Sequence, residues 1–157
     1  MSFTNIESIK AAGFTGFKTV EELRNNKSLI PKERGVYLIL NLNPVFTFIE
    51  TGTGGFFKGR NPNVEIEILN ENWIENSPVI YIGKANSLHK RLGQYFRFGK
   101  GKNVGHWGGR YIWQLENSKD LVVCWKTTEE EPRIEEVNLI QKFVKQYGKR
   151  PFANLIN

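Results

Sequence analysis

Gly35-Val-Tyr-Leu-Ile-Leu-Asn-Leu42 is apolar at almost every position, the pattern of a strand covered on both faces and central in its sheet. Val79-Ile-Tyr-Ile-Gly83 reads the same way, and Leu121–Lys126 supplies a third strand. Val64–Leu69 alternates strictly between apolar and acidic residues, which predicts a half-exposed strand, and Val45–Glu50 fits a hairpin partner for the first strand. Elsewhere the period is helical. The first 30 residues read as two short helices, the second opened by a capping box of Thr19 and Glu22 and stopped by Pro31. Asn86 or Ser87 caps a helix whose Leu88, Leu92, Tyr95 and Phe96 share one face. Pro132 suits the first turn of a long last helix, and Gly148 is placed to end it. Strands and helices mix without a βαβ repeat. The expected fold is therefore α+β: a small, mostly antiparallel sheet flanked by helices, with a helical extension over residues 1–33 and an inserted hairpin within residues 43–78.

The last helix places one carboxylate where it does not belong. At 100° per residue from Ile134, Val137, Leu139, Ile140, Phe143, Val144 and Tyr147 fall between about 140° and 300°, and Glu136 falls inside that arc at about 200°. Glu135 falls on the polar side with Asn138 and Lys142. An ionised carboxylate on an apolar stripe needs a partner: an arginine such as Arg91 or Arg133, or a divalent cation.

Composition narrows the class. With 157 residues the chain is expected to form a single domain over 1–157, and 39% hydrophobic with 13% aromatic residues excludes a disordered chain. One cysteine, Cys124, builds neither an internal disulfide nor a zinc site. No apolar run approaches a membrane span and no secretion signal is visible, so the expectation is a soluble, cytoplasmic protein without a membrane partner. The net charge is +6 from 22 Lys and Arg against 16 Asp and Glu. Its distribution is more telling than its sum, because the segment Tyr81–Leu115 holds seven basic residues and no acidic one. Lys90, Arg97, Lys100, Lys102 and Arg110 are interleaved there with aromatics including Trp107, a combination suited to phosphates and bases.

Gly35-Val36-Tyr37 on one strand and Tyr81-Ile82-Gly83 on a second resemble the paired signature of the GIY-YIG nuclease superfamily. Lys84 follows directly, Arg91 stands ten residues after Tyr81, and Tyr95 four beyond that. VIYIGKANSLHKRLGQYF is similar to the corresponding stretch in the nuclease domain of bacterial nucleotide-excision-repair incision enzymes. EEVNLIQKF followed by PFAN resembles the family's closing glutamate helix and asparagine. The resemblance implies a metal-dependent endonuclease acting on DNA. In it Tyr37 or Tyr81 serves or positions the general base, Lys84 and Arg91 favour the phenolate, and Arg91 contacts the phosphate. Tyr95 shares the cleft, Glu136 ligates a single Mg²⁺ or Mn²⁺, and Asn154 supports the cleft or the attacking water. The alternative is a nucleic-acid-binding module that uses the same basic cleft with little or no catalysis.

Three features depart from the family pattern. The link from Asn43 to Pro78 is long, and its TGTGGFFKGRNP stretch lacks the closing GK[ST] of a P-loop. The basic loop KGKNVGHWGGR follows the Arg91 helix, with a lone His106 that reads as structural or solvated. Asn154 lies further from Glu136 than in the repair enzymes, which leaves Asn157 as a competitor. No DNA-targeting domain is recognisable, so target specificity is expected from a partner protein, the insertion or the DNA structure itself.

Overall fold

A computed structural model describes residues 1–155. Four strands form one antiparallel sheet: β1 (Thr15–Thr19), β2 (Gly35–Leu40), β3 (Val79–Ala85) and β4 (Val122–Thr127), in the order β1-β4-β2-β3. The α+β architecture read from the sequence is thus the observed one. All six residues of β2 are buried, as its unbroken apolar run predicts for a strand hydrogen-bonded on both sides.

Side chains of the sheet alternate between two cores. Val36, Leu38, Leu40, Val79, Ile82 and Cys124 pack with α1 (Ile6–Ala11) and with Leu139 and Phe143 of the long helix α5 (Pro132–Tyr147). Tyr37, Ile39, Tyr81, Val123 and Trp125 face α2 (Val20–Asn25) and α4 (Leu88–Phe98). The termini of these helices follow the sequence signals. Thr19 and Glu22 form the reciprocal capping box, Ser87 accepts from the Lys90 amide, and Gly148 ends α5 in the left-handed conformation.

Several expectations are corrected. The N-terminal extension is not wholly helical: β1 lies between its two helices and pairs with β4 through a bulge at Gly16–Lys18. The second helix ends at Asn25, ahead of a 3₁₀ turn at Lys27–Leu29, well before Pro31. Val45–Glu50 is no hairpin partner of β2, because β3 and β4 already occupy both of its sides; it makes one isolated bridge, Phe48 to Leu115. Val64–Leu69, read as a strand, instead leads into the helix α3 (Ile66–Asn72). Ile66, Leu69 and Trp73 recur at helical spacing, and Leu69 and Trp73 pack on the core, so packing selects the helix. On α5 the apolar arc is only partly used: Leu139 and Phe143 are buried while Val137 and Val144 are exposed.

Candidate active site

A cavity of about 760 Å³ opens beside the edge strand β3. β2 and β3 contribute Tyr37, Tyr81 and Lys84, α4 contributes Lys90, Arg91 and Gln94, and the first turns of α5 contribute Arg133 and Glu136. The register explains how two tyrosines distant in sequence meet. Tyr37 is opposite Gly83, so Tyr81, two residues earlier, lies on the same face as its diagonal neighbour, with ring centroids 6.0 Å apart. Both signature glycines have steric reasons. A Cβ on Gly83 would overlap the Tyr37 ring, and one on Gly35 would overlap the Lys126 carbonyl of β4.

The two phenols differ in environment. Tyr37 is 0% exposed, and its hydroxyl shares a 2.9 Å hydrogen bond with Nε2 of His106. Tyr81 keeps 8% of its surface exposed. Burial raises the pKa of both above the ordinary phenol value, most strongly for Tyr37, and the Arg91 charge opposes the rise in each. Arg91 donates through Nη1 to Gln94 Oε1 at 3.0 Å and to the Gly105 carbonyl at 2.8 Å. These bonds fix the guanidinium while leaving Nε and Nη2 without a protein acceptor among the described residues.

Glu136 is half-buried and has neither a hydrogen bond nor an ion pair among the described residues; the ion pairs there are Arg34–Glu131 and Lys126–Glu135. The carboxylate is therefore not consumed by Arg91 or Arg133. Burial raises its pKa, and the surrounding charges of Lys84, Arg150, Arg133 and Arg91 pull it back down. No group of three or more His, Cys, Asp or Glu side chains is gathered among the described residues, so the protein itself offers no multidentate metal cage.

Two residues named with the cleft sit outside its lining. Tyr95 is fully buried on α4, its hydroxyl without a partner among the described residues and its ring 4.6 Å from the His106 ring and 4.7 Å from that of Trp113. It supports the imidazole rather than facing the cavity. Asn154 pairs with the backbone of β3, accepting from the Ile82 amide and donating to its carbonyl, both at 2.8 Å. Its amide acts as one more rung of the sheet at the edge that carries Tyr81, and Ala153 adds a bond to the Ile80 carbonyl. Asn157 lies outside the described residues.

Of the basic candidates, Lys90 lines the cavity, whereas Arg97, Lys100 and Lys102 are exposed beyond it. Arg110 stacks on Trp107, 4.7 Å from its ring centroid. The functional residue the sequence did not disclose is His106. It is fully buried, and burial together with the Arg91 charge lowers its pKa to about 3, so the imidazole is neutral. In the structure Gly109 makes room for it, since a Cβ there would come within 2.9 Å of the imidazole.

Comparison with known proteins gives a partial match. The chain is 34% identical over 74 residues to UvrABC system protein C of Nautilia profundicola. The match covers 47% of this chain and 12% of that protein's length. No family model and no solved structure matches the chain. No helix among the described residues is long and apolar enough to cross a membrane.

Proposed function

We propose that the protein is a GIY-YIG-type endonuclease that hydrolyses a DNA phosphodiester with one Mg²⁺ or Mn²⁺ at Glu136. The observation that carries this reading is the convergence of Tyr37, Tyr81, Arg91 and Glu136, from four elements, on one cavity. The similarity to a UvrABC system protein C agrees with the resemblance of the signature strands to excision-repair incision nucleases.

The donor set fits the metal. Mg²⁺ keeps several waters and is bound by one or two carboxylates together with substrate phosphates, and Glu136 offers one carboxylate free of other partners. When bound, the ion supplies Lewis-acid stabilisation of the charge developing on the phosphate and the leaving oxygen. The chain's own residues do the rest. Arg91 donates charge-assisted hydrogen bonds to the non-bridging oxygens, with Lys84 adding a second positive charge at the rim. Tyr81, the more exposed phenol, orients the attacking water and in its ionised form takes the water's proton. The water oxygen bonds to phosphorus and one ester oxygen departs. Tyr37, tied to His106, and Asn154, tied to β3, hold this geometry.

The product is a nicked or incised DNA in a cytoplasmic setting, with target choice supplied by a partner protein, the insertion or the DNA structure itself. Nicking of supercoiled plasmid and of branched DNA in Mg²⁺ or Mn²⁺, against a chelator control, tests the proposal. Cleavage only with the metal supports it, and cleavage unaffected by chelation contradicts it.

A further inference from the structure

The insertion does not hang loose from the fold. Gln114, buried below it, donates through Nε2 to the carbonyls of Ile49, Glu50 and Val64 and accepts from the Val64 amide. Trp73 and Phe46 of the insertion stack with ring centroids 4.2 Å apart, and Trp73 lies 5.1 Å from Phe152, two residues before Asn154. Within this anchored segment the turn Phe57–Gly59 docks on the glycine-rich basic loop. The Lys58 amide donates to Asn103 Oδ1 at 3.1 Å, and Gly55 lies so close to the Lys102 carbonyl that a Cβ there would overlap it.

This docking brings together cations that are 50 residues apart in sequence. The guanidinium of Arg60, from the insertion, lies 4.5 Å from the ring centroid of Trp107, the same indole that Arg110 covers at 4.7 Å. Arg110 is further held by donating to the Trp107 carbonyl. Among the described residues neither guanidinium has a carboxylate within 4.0 Å. Exposed Lys58 and Lys102 flank them. Burial lowers the pKa of Arg110, Tyr111 opposes that fall, and the Arg60 charge adds to it. Like charges clustered on one indole with no acidic neighbour are stabilised by an incoming anion, and a planar guanidinium favours phosphate.

We propose that the insertion builds a second phosphate-contacting surface, with Arg60 and Arg110 stacked on Trp107 gripping the DNA backbone away from the bond that is cleaved. The inference rests on the DNA-cleaving reading above and adds the role of residues 43–78 to it. The surface is mechanically joined to the cleft. Trp107 follows His106, whose imidazole holds Tyr37, and Gly105 accepts from Arg91. The basic loop therefore has one side in the cleft and its other side on the insertion.

The test is equilibrium binding of fluorescein-labelled duplex DNA by the full chain in a metal chelator, between about 50 and 200 mM salt. The wild type is expected to show a steep fall of log K with log salt. Arg60→Ala should lower that slope by about 1, the double variant Arg60→Ala/Arg110→Ala by about 2, and Arg60→Lys should retain it. Arg60 is exposed, and matched thermal melting of its variants excludes a folding effect. Wild-type binding with an unchanged slope in Arg60→Ala overturns the insertion surface and leaves the nuclease reading standing. Absence of salt-dependent binding by the wild type overturns both.

Discussion

The Tyr37 hydroxyl and Nε2 of His106 lie 2.9 Å apart, and neither residue has any exposed surface. This contact joins a strand residue to a loop residue 69 positions away and links the basic loop to the sheet. Tyr95 packs its ring against the imidazole, so Tyr37 at the cleft and the two residues behind it depend on one another. The neutral state of His106 is part of that arrangement, because a charged imidazole there faces burial and the Arg91 cation.

Acid lability follows with a defined sign. The folded pKa of His106 is near 3 and lies below the ordinary histidine value, so the unfolded chain binds the proton more readily. The stabilising contribution is complete above about pH 6.5 and is lost as pH falls towards about 3, at about 1.4 kcal/mol per pH unit. Urea unfolding from neutral to acidic pH should show this component in the wild type and lack it in His106→Gln, whose amide can still hydrogen-bond Tyr37. Equal acid slopes in the two proteins would contradict the buried neutral histidine.

Asn154 offers a structural test. Asn154→Ala removes both hydrogen bonds to Ile82 and leaves the outer edge of β3 short of partners. A loss of about 1–3 kcal/mol in unfolding free energy is expected. Asn154→Asp, which keeps the acceptor and loses the donor, should fall between the two in denaturant titration. An undisturbed Asn154→Ala would remove the asparagine from the support of Tyr81.

The sheet and its paired tyrosines were legible because both signature strands are apolar without interruption and each glycine answers to a contact. Gly83 has to clear the Tyr37 ring and Gly35 the β4 backbone. Glu136 was legible as a carboxylate on the apolar side of α5 in need of a partner; that no arginine pairs with it among the described residues came from the structure, and the apolar arc around it overstated what the helix buries. The insertion was not legible. VEIEIL satisfies the period of a strand, and only the packing of Leu69 and Trp73 on the core turns it into the approach to a helix. Nor could a lone His106 be assigned, since its meaning depends on a tyrosine 69 residues earlier. Tyr95 and Asn154 fit a sequence pattern that does not distinguish a side chain facing the cavity from one that supports it.

On the proposed mechanism, Tyr81 sets the pH dependence of cleavage. Its pKa lies above the usual phenol value because burial outweighs the Arg91 charge, so the ionised fraction keeps growing as pH rises. The logarithm of the single-turnover nicking rate should climb by about 1 per pH unit from about pH 7 to 9. On the acid side the raised pKa of Glu136 adds a loss of metal-dependent activity as its carboxylate protonates. Tyr81→Phe should flatten the alkaline limb and lower the rate by about 10²-fold or more. An unaltered limb in Tyr81→Phe would shift the base role to Tyr37.

The most direct test of the central claim is metal-dependent nicking of plasmid and branched DNA by the wild type, Glu136→Gln and Arg91→Ala, with DNA binding measured on the same preparations. Wild-type cleavage that is lost in Glu136→Gln while its DNA binding persists, and that falls by about 10²–10³-fold in Arg91→Ala, is the predicted result. Salt-sensitive DNA binding without cleavage of any substrate by the wild type would contradict it and identify the cleft as a nucleic-acid-binding surface alone.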